Sequence, residues 1–168
     1  MFIYRITARH QIQNAWPLLI FLVIAICFPF YMVLKFGREE ILTYLLIALC
    51  FFLIFFIPVL LVHLNYYKIN KHDVVSYDPM ISKFIIYRDG LLNIVNLDDI
   101  ELIERHSSYP LAENRNHYFP WDGYNHSIIR LKNGRTFVIT SLLIPNLDLL
   151  VGKERMKVKK SFYRLVTL

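Results

Sequence analysis

The residues with the most chemical capacity lie in one stretch, from Arg105 to His126. Arg105 and Arg115 can each present a guanidinium fork to a phosphate, and Tyr109, Tyr118, Trp121 and Tyr124 offer rings on which a base could stack. This combination fits a nucleotide-binding loop. It equally fits a loop whose aromatic side chains cap the end of a small barrel. His106, His117 and His126, with Asp122, fall in the same stretch, but intervals of eleven and nine residues lack the short spacing that brings metal ligands together. Ser107 and Ser108 adjoin His106, yet adjacency in sequence does not aim a base at a hydroxyl, and no orienting acid accompanies them. With five glycines in all and no phosphate-cradling loop, the expectation is a chain that is not an enzyme, with no catalytic residue, metal or cofactor.

A second group with chemical meaning is basic. The whole chain carries +6, but Asn65 to Leu150 is close to neutral, with nine Lys and Arg against ten Asp and Glu. From Val151 onward six basic residues face Glu154 alone. Placed on a helix from about Leu147 to Leu165, with Asn146 as N-cap, the apolar residues Leu147, Leu150, Val151, Val158, Phe162 and Leu165 gather on one side. Lys153, Lys157, Lys160 and Arg164 then line one border of that stripe, and Arg155 and Lys159 the other. Such an amphipathic helix could lie beside anionic headgroups. It could also pack its stripe on the barrel and leave its charges in water.

Two kinds of element must position these residues. At 56% hydrophobic and 19% charged, the chain is more apolar than a soluble domain usually is. The excess is concentrated in Ala15 to Leu34 and Ile41 to Val62, two charge-free runs each long enough to cross the roughly 30 Å core of a bilayer as a helix. Only Lys35 to Glu40 joins them, so the two must form an antiparallel hairpin. Arg5, Arg9, Lys68 and Lys71 flank it on one side against Lys35 and Arg38 on the other, which predicts cytoplasmic termini. No ionisable residue falls inside either run, an argument against transport by a single copy. Pro29 and Pro58 permit kinks, and Cys27 and Cys50 suit helix packing.

After the hairpin the pattern changes to short strands. Lys83–Arg88 and Leu91–Leu97 flank Asp89–Gly90, and Ser127–Lys132 and Arg135–Thr140 flank Asn133–Gly134, predicting two hairpins with two-residue turns. Further strands are expected at Tyr66–Asn70, Val74–Tyr77 and Ile100–His106. The organisation expected is therefore an N-terminal cytoplasmic segment (1–14), a transmembrane hairpin (15–62), and a cytoplasmic all-β barrel or sandwich ending in the amphipathic helix (63–168).

The order of hairpins, long loop, final hairpin and terminal helix resembles the bacterial pleckstrin-homology-like (PH-like) domain found behind one or two membrane spans. Stretches such as Leu97–Asp98–Asp99–Ile100 and Ile139–Thr140–Ser141–Leu142–Leu143 carry that likeness. It implies a non-enzymatic module at the bacterial inner membrane that binds a protein or lipid partner and forms homo-oligomers. The architecture is also similar to the two-transmembrane, β-strand-rich effectors of cyclic-nucleotide (SMODS-associated) antiphage defence. That likeness implies gating by a cyclic nucleotide, oligomerisation and disruption of the membrane, and it transfers no ligand residue. Neither likeness leads us to expect DNA or RNA as a partner.

Overall fold

In a computed structural model, which describes residues 1–116, 119–152, 156–162 and 164–166, the chain begins with a strand. β1 (Phe2–Arg5) pairs antiparallel with β2 (Val74–Asp78), in register from Phe2↔Tyr77 to Arg5↔Val74. The N-terminal segment thus belongs to the β domain, and the helical hairpin is spliced between two neighbouring strands of one sheet. α1 (Ala8–Phe36) and α2 (Ile41–Asn70) are long and apolar enough to cross a membrane. Because β1 and β2 are adjacent, both feet of the hairpin stand on the same side.

Thr7 caps α1 by accepting the His10 N–H at 3.2 Å, and Gly37, with φ of 92°, ends it. Within α2 the turn Phe52–Phe56 widens to a π-helix, in which the Ile57 N–H reaches the Phe52 carbonyl. The cause is Pro58, which has no N–H and whose ring would collide with a carbonyl one turn back. The extra residue also brings Phe55 face to face with Phe21, ring centroids 5.4 Å apart. The strand expected at Tyr66–Asn70 is instead the last part of α2. Val59, Val62, His63, Tyr66 and Asn70 are all buried, and their spacing of three and four lets only a helix turn that face onto the β domain.

β2, β3 (Lys83–Arg88) and β4 (Leu91–Asn96) continue the first sheet in the order β1-β2-β3-β4. Arg88 pairs with Leu91 across a two-residue turn in which Asp89 and Gly90 have φ of 52° and 79°, as two positive central residues require. A 3-10 turn (Leu97–Asp99) leads to β5 (Ile100–Ser107) and a one-turn helix, α3 (Tyr109–Ala112). β6 (His126–Leu131) and β7 (Thr136–Thr140) follow. Their turn holds three residues, because Leu131 bonds Arg135 and Gly134 alone takes positive φ. Asn133–Gly134 therefore forms the end of a type I turn with a bulge.

The predicted C-terminal helix does not form. α4 spans only Asp148–Val151 and stops at Gly152, whose φ is 83°; β8 (Met156–Lys160) then adds to β5 in parallel, giving the second sheet as β7-β6-β5-β8. Met156, Val158 and the intervening lysines alternate with a period of two, and exposed lysines along an edge strand discourage further pairing. The helical reading fitted the apolar positions only by running through Gly152.

The sheets face each other across a core in which Val75, Phe84, Ile86 and Val95 meet Ile103, Ile129, Leu131 and Ile139, closed by Leu143, Ile144 and Leu147. The other face of the second sheet packs on the hairpin: Val138, Leu142, Trp121 and Tyr124 against Leu18, Val59, Val62 and Tyr66. The hairpin base is thus a third layer.

Candidate functional site

Where the hairpin meets the domain, polar side chains interlock. The C-terminal end of α2 supplies Asn70, whose amide nitrogen donates to Asp73 at 2.7 Å and to the Val138 carbonyl at 2.9 Å, and whose oxygen accepts from the Thr140 N–H at 2.9 Å. Arg88 from β3 grips Asp73 through Nε and Nη2 and also donates to the Val138 carbonyl. Helix, first sheet and second sheet are joined at one knot. Beside it opens a cleft of about 570 Å³ lined by Lys68, Lys71, His72 and the paired Arg88 and Asp73, with Asp89 as its one further carboxylate among the described residues. Lys68, Lys71 and His72 are exposed at its rim, and Lys68 and Lys71 have no ion-pair partner among the described residues. This arrangement can receive an anion. In the sequence Lys68 and Lys71 serve only to orient the hairpin. Their spacing of three at the end of an apolar helix, which puts them on one face, was the available signal.

Higher up the seam, Tyr124 bonds His63 Nδ1 at 2.9 Å and donates to the Asn14 carbonyl at 3.1 Å. Tyr66 bonds His126 Nδ1 at 3.0 Å. His126 stacks on His106, centroids 4.6 Å apart, and His106 Nε2 is 2.7 Å from Glu104, which also meets Lys159 at 2.8 Å. The two histidines stand opposite each other in the β5–β6 register, so the sheet closes a distance that their spacing in sequence hides. Burial pushes the His126 pKa down to about 4, helped by His106 and Arg164, so its ring is neutral at pH 7. Burial also raises the Tyr124 phenol. The Lys159 hydrogen bond, with His106 behind it, holds the Glu104 carboxyl below its ordinary range.

The residues predicted to hold a nucleotide do not converge. Arg105 is paired with Asp148 at 3.1 Å, in a small pocket of about 150 Å³ whose lining includes none of the aromatics. Arg115 is exposed and paired with Glu113, and Tyr109 is exposed on α3. Trp121 and Tyr124 are buried against the hairpin. Tyr118 lies outside the described residues, as does Lys153. Of the other residues expected at a membrane surface, Lys157 is exposed on β8 and Lys160 is paired with Glu113 at 2.9 Å. Arg164 is only 2% exposed. It donates to the carbonyls of Tyr124 and Ser161 at 2.8 and 2.9 Å, and to those of Phe162 and Trp121, so it braces the domain from inside and is not available to a headgroup. No group of three or more His, Cys, Asp or Glu among the described residues could hold a metal ion.

Two facing sheets of four strands, entered by a strand that precedes the hairpin, define a PH-like sandwich. A family model described as PH domain matches residues 3–151, from β1 through the hairpin to α4. The chain belongs to the PH domain family, whose members bind lipids or proteins and are in general not catalytic. No curated protein and no solved structure matches it.

Proposed function

We propose that this chain is a non-enzymatic PH module fixed to the bacterial inner (cytoplasmic) membrane by the α1–α2 hairpin, with both termini in the cytoplasm. Its ligand is an anionic lipid headgroup, held in the cleft at the end of α2. The observation that carries this reading is the height of the cationic rim. Lys68 lies six residues beyond Val62, where the charge-free run ends, which is about 9 Å at 1.5 Å per residue. A headgroup layer is roughly 5–8 Å thick, and lysine stems reach back toward it. Arg88, locked by Asp73, forms the rigid wall, while Lys68 and Lys71 supply the mobile charge.

The test uses the full chain in nanodiscs of phosphatidylcholine with or without phosphatidylglycerol, followed by release and native mass spectrometry. Wild type should retain phosphatidylglycerol over phosphatidylcholine, and K68A/K71A should lose that preference at least tenfold. Indifference of the wild type to headgroup charge sinks the lipid reading and points to a protein partner at the same face.

A further inference from the structure

One aromatic cluster is not used by the headgroup cleft. Phe119 stacks on Trp121 with centroids 4.9 Å apart and planes 3° from parallel. Phe162, arriving from the chain's C-terminal segment, sets its edge against both, at 5.4 and 5.3 Å. Trp121 is almost fully buried, whereas Phe119 and Phe162 are 37% and 48% exposed. We propose that Phe119, Trp121 and Phe162 form a wedge that the β domain sets into the acyl chains of the leaflet on its own side. This rests on the hairpin spanning the membrane.

Height is the first argument. Trp121 stacks on Phe55 of α2, centroids 6.4 Å apart, and Phe55 faces Phe21 of α1. Phe55 comes seven residues before the end of its charge-free run at Val62, and Phe21 six residues after the start of the other at Ala15. Both therefore lie about 10 Å inside the hydrocarbon boundary, within the roughly 15 Å of one leaflet. A loop that packs on them at that level must share their surroundings. Between Phe119 and α1 a cleft of about 370 Å³ runs from Gln13 and Asn14, at the boundary, past Trp16 and Pro17 to Phe21. It is wide enough for acyl carbons.

Backbone chemistry is the second argument. Non-helical chain at such a depth is tolerated only when its polar groups are satisfied from within. Arg164 gives its guanidinium to the carbonyls of Trp121, Tyr124, Ser161 and Phe162. Asp122 accepts the Phe119 N–H at 2.9 Å, and the Ser108 hydroxyl donates to the Asp122 carbonyl at 3.0 Å. Asp122 and Arg164 are themselves buried. The surface between residues 119 and 124 thus shows rings and no exposed charge. The loop turns its one carboxylate inward and leaves Phe119 partly exposed.

The chain has two tryptophans, Trp16 and Trp121, so W16F and W121F each leave a single reporter. Each full-length variant is reconstituted in phosphatidylcholine vesicles brominated on the acyl chains. Trp16, in W121F, reports the hairpin, and Trp121, in W16F, reports the wedge. The expected result is that bromolipid removes most of the emission of both. Quenching of Trp16 alone overturns the wedge and leaves the hairpin in the membrane; quenching of neither overturns both. A nitrobenzoxadiazole attached through F119C, with Cys27 and Cys50 replaced by alanine, gives a readout that spares Trp121. Strong, bromolipid-quenched emission supports the wedge. Emission that is strong but unquenched places a protein surface over Phe119 and overturns it.

Discussion

The two buried clusters of this molecule are built on different principles. Between the sheets, Val75, Phe84, Ile86, Ile103, Ile129 and Leu131 interdigitate as hydrocarbon alone. Against the hairpin, the apolar contacts of Val59, Val62, Val138 and Leu142 are threaded by hydrogen bonds from His63, Tyr66, Tyr124, His126 and Asn70. Hydrocarbon packing tolerates small rotations of one layer on another, whereas each polar pair has one geometry that satisfies it. The first cluster holds the sandwich together. The second fixes the angle at which the sandwich stands on its helices.

That contrast can be broken from either side. F84A should be the most severe change, since truncating a fully buried phenylalanine costs about 3–5 kcal/mol. Chemical denaturation of the detergent-solubilised W16F protein, followed by Trp121 emission, should show a lower midpoint with no change in emission before the transition. R164M removes the brace of the Trp121–Tyr124 loop and leaves several buried carbonyls unmatched, at roughly 3 kcal/mol. Here Trp121 emission should shift to the red well before global unfolding, a sign that the seam opens first.

Mild acid acts on the seam through His126. The folded pKa is pushed down to about 4 from an ordinary value near 6.5, so the unfolded chain takes up the proton first. Stability should hold above about pH 6.5 and fall as the pH drops toward 4, by about 2 kcal/mol at pH 5. Glu104, its carboxyl held down by Lys159 and His106, adds a loss of the same sign below its ordinary range. H126N, which keeps an acceptor for Tyr66, should be less stable at pH 7 but flatter between pH 6.5 and 5 in thermal melts.

The same contrast decides what could be read without coordinates. Ile129 and Leu131 announce their inward face by flanking the exposed Arg130, and Phe84 follows Lys83, although Ile85 and Ile128 blur the alternation; Asp89–Gly90 announces its turn. The hairpin of helices was equally plain, because a charge-free run of that length has few other fates. The seam was not, since Tyr124 finds His63 across 61 residues and Tyr66 finds His126 across 60. No local period encodes such a pair. The aromatic and basic residues of the 105–126 loop are grouped in sequence but not in space. Trp121 and Tyr124 turn to the hairpin while Arg105 turns to Asp148. The tail was misread for a related reason: Lys157, Val158 and Lys159 suit a helix border and an edge strand alike, and only the partner β5 and the break at Gly152 decide between them.

The placement of β1 ahead of the hairpin has a consequence in time. Arg5 leaves the ribosome before the helices, but its partner Val74 emerges only after the whole of α1 and α2 has been made. Until then Phe2, Ile3 and Tyr4 have no strand to join, because the rest of the first sheet lies beyond the helices. Pairing of β1 is a signal that both helices have been synthesised and have brought their feet together. A chain whose second helix is shortened by several turns should therefore leave β1 unpaired and sensitive to protease, however well the later strands fold.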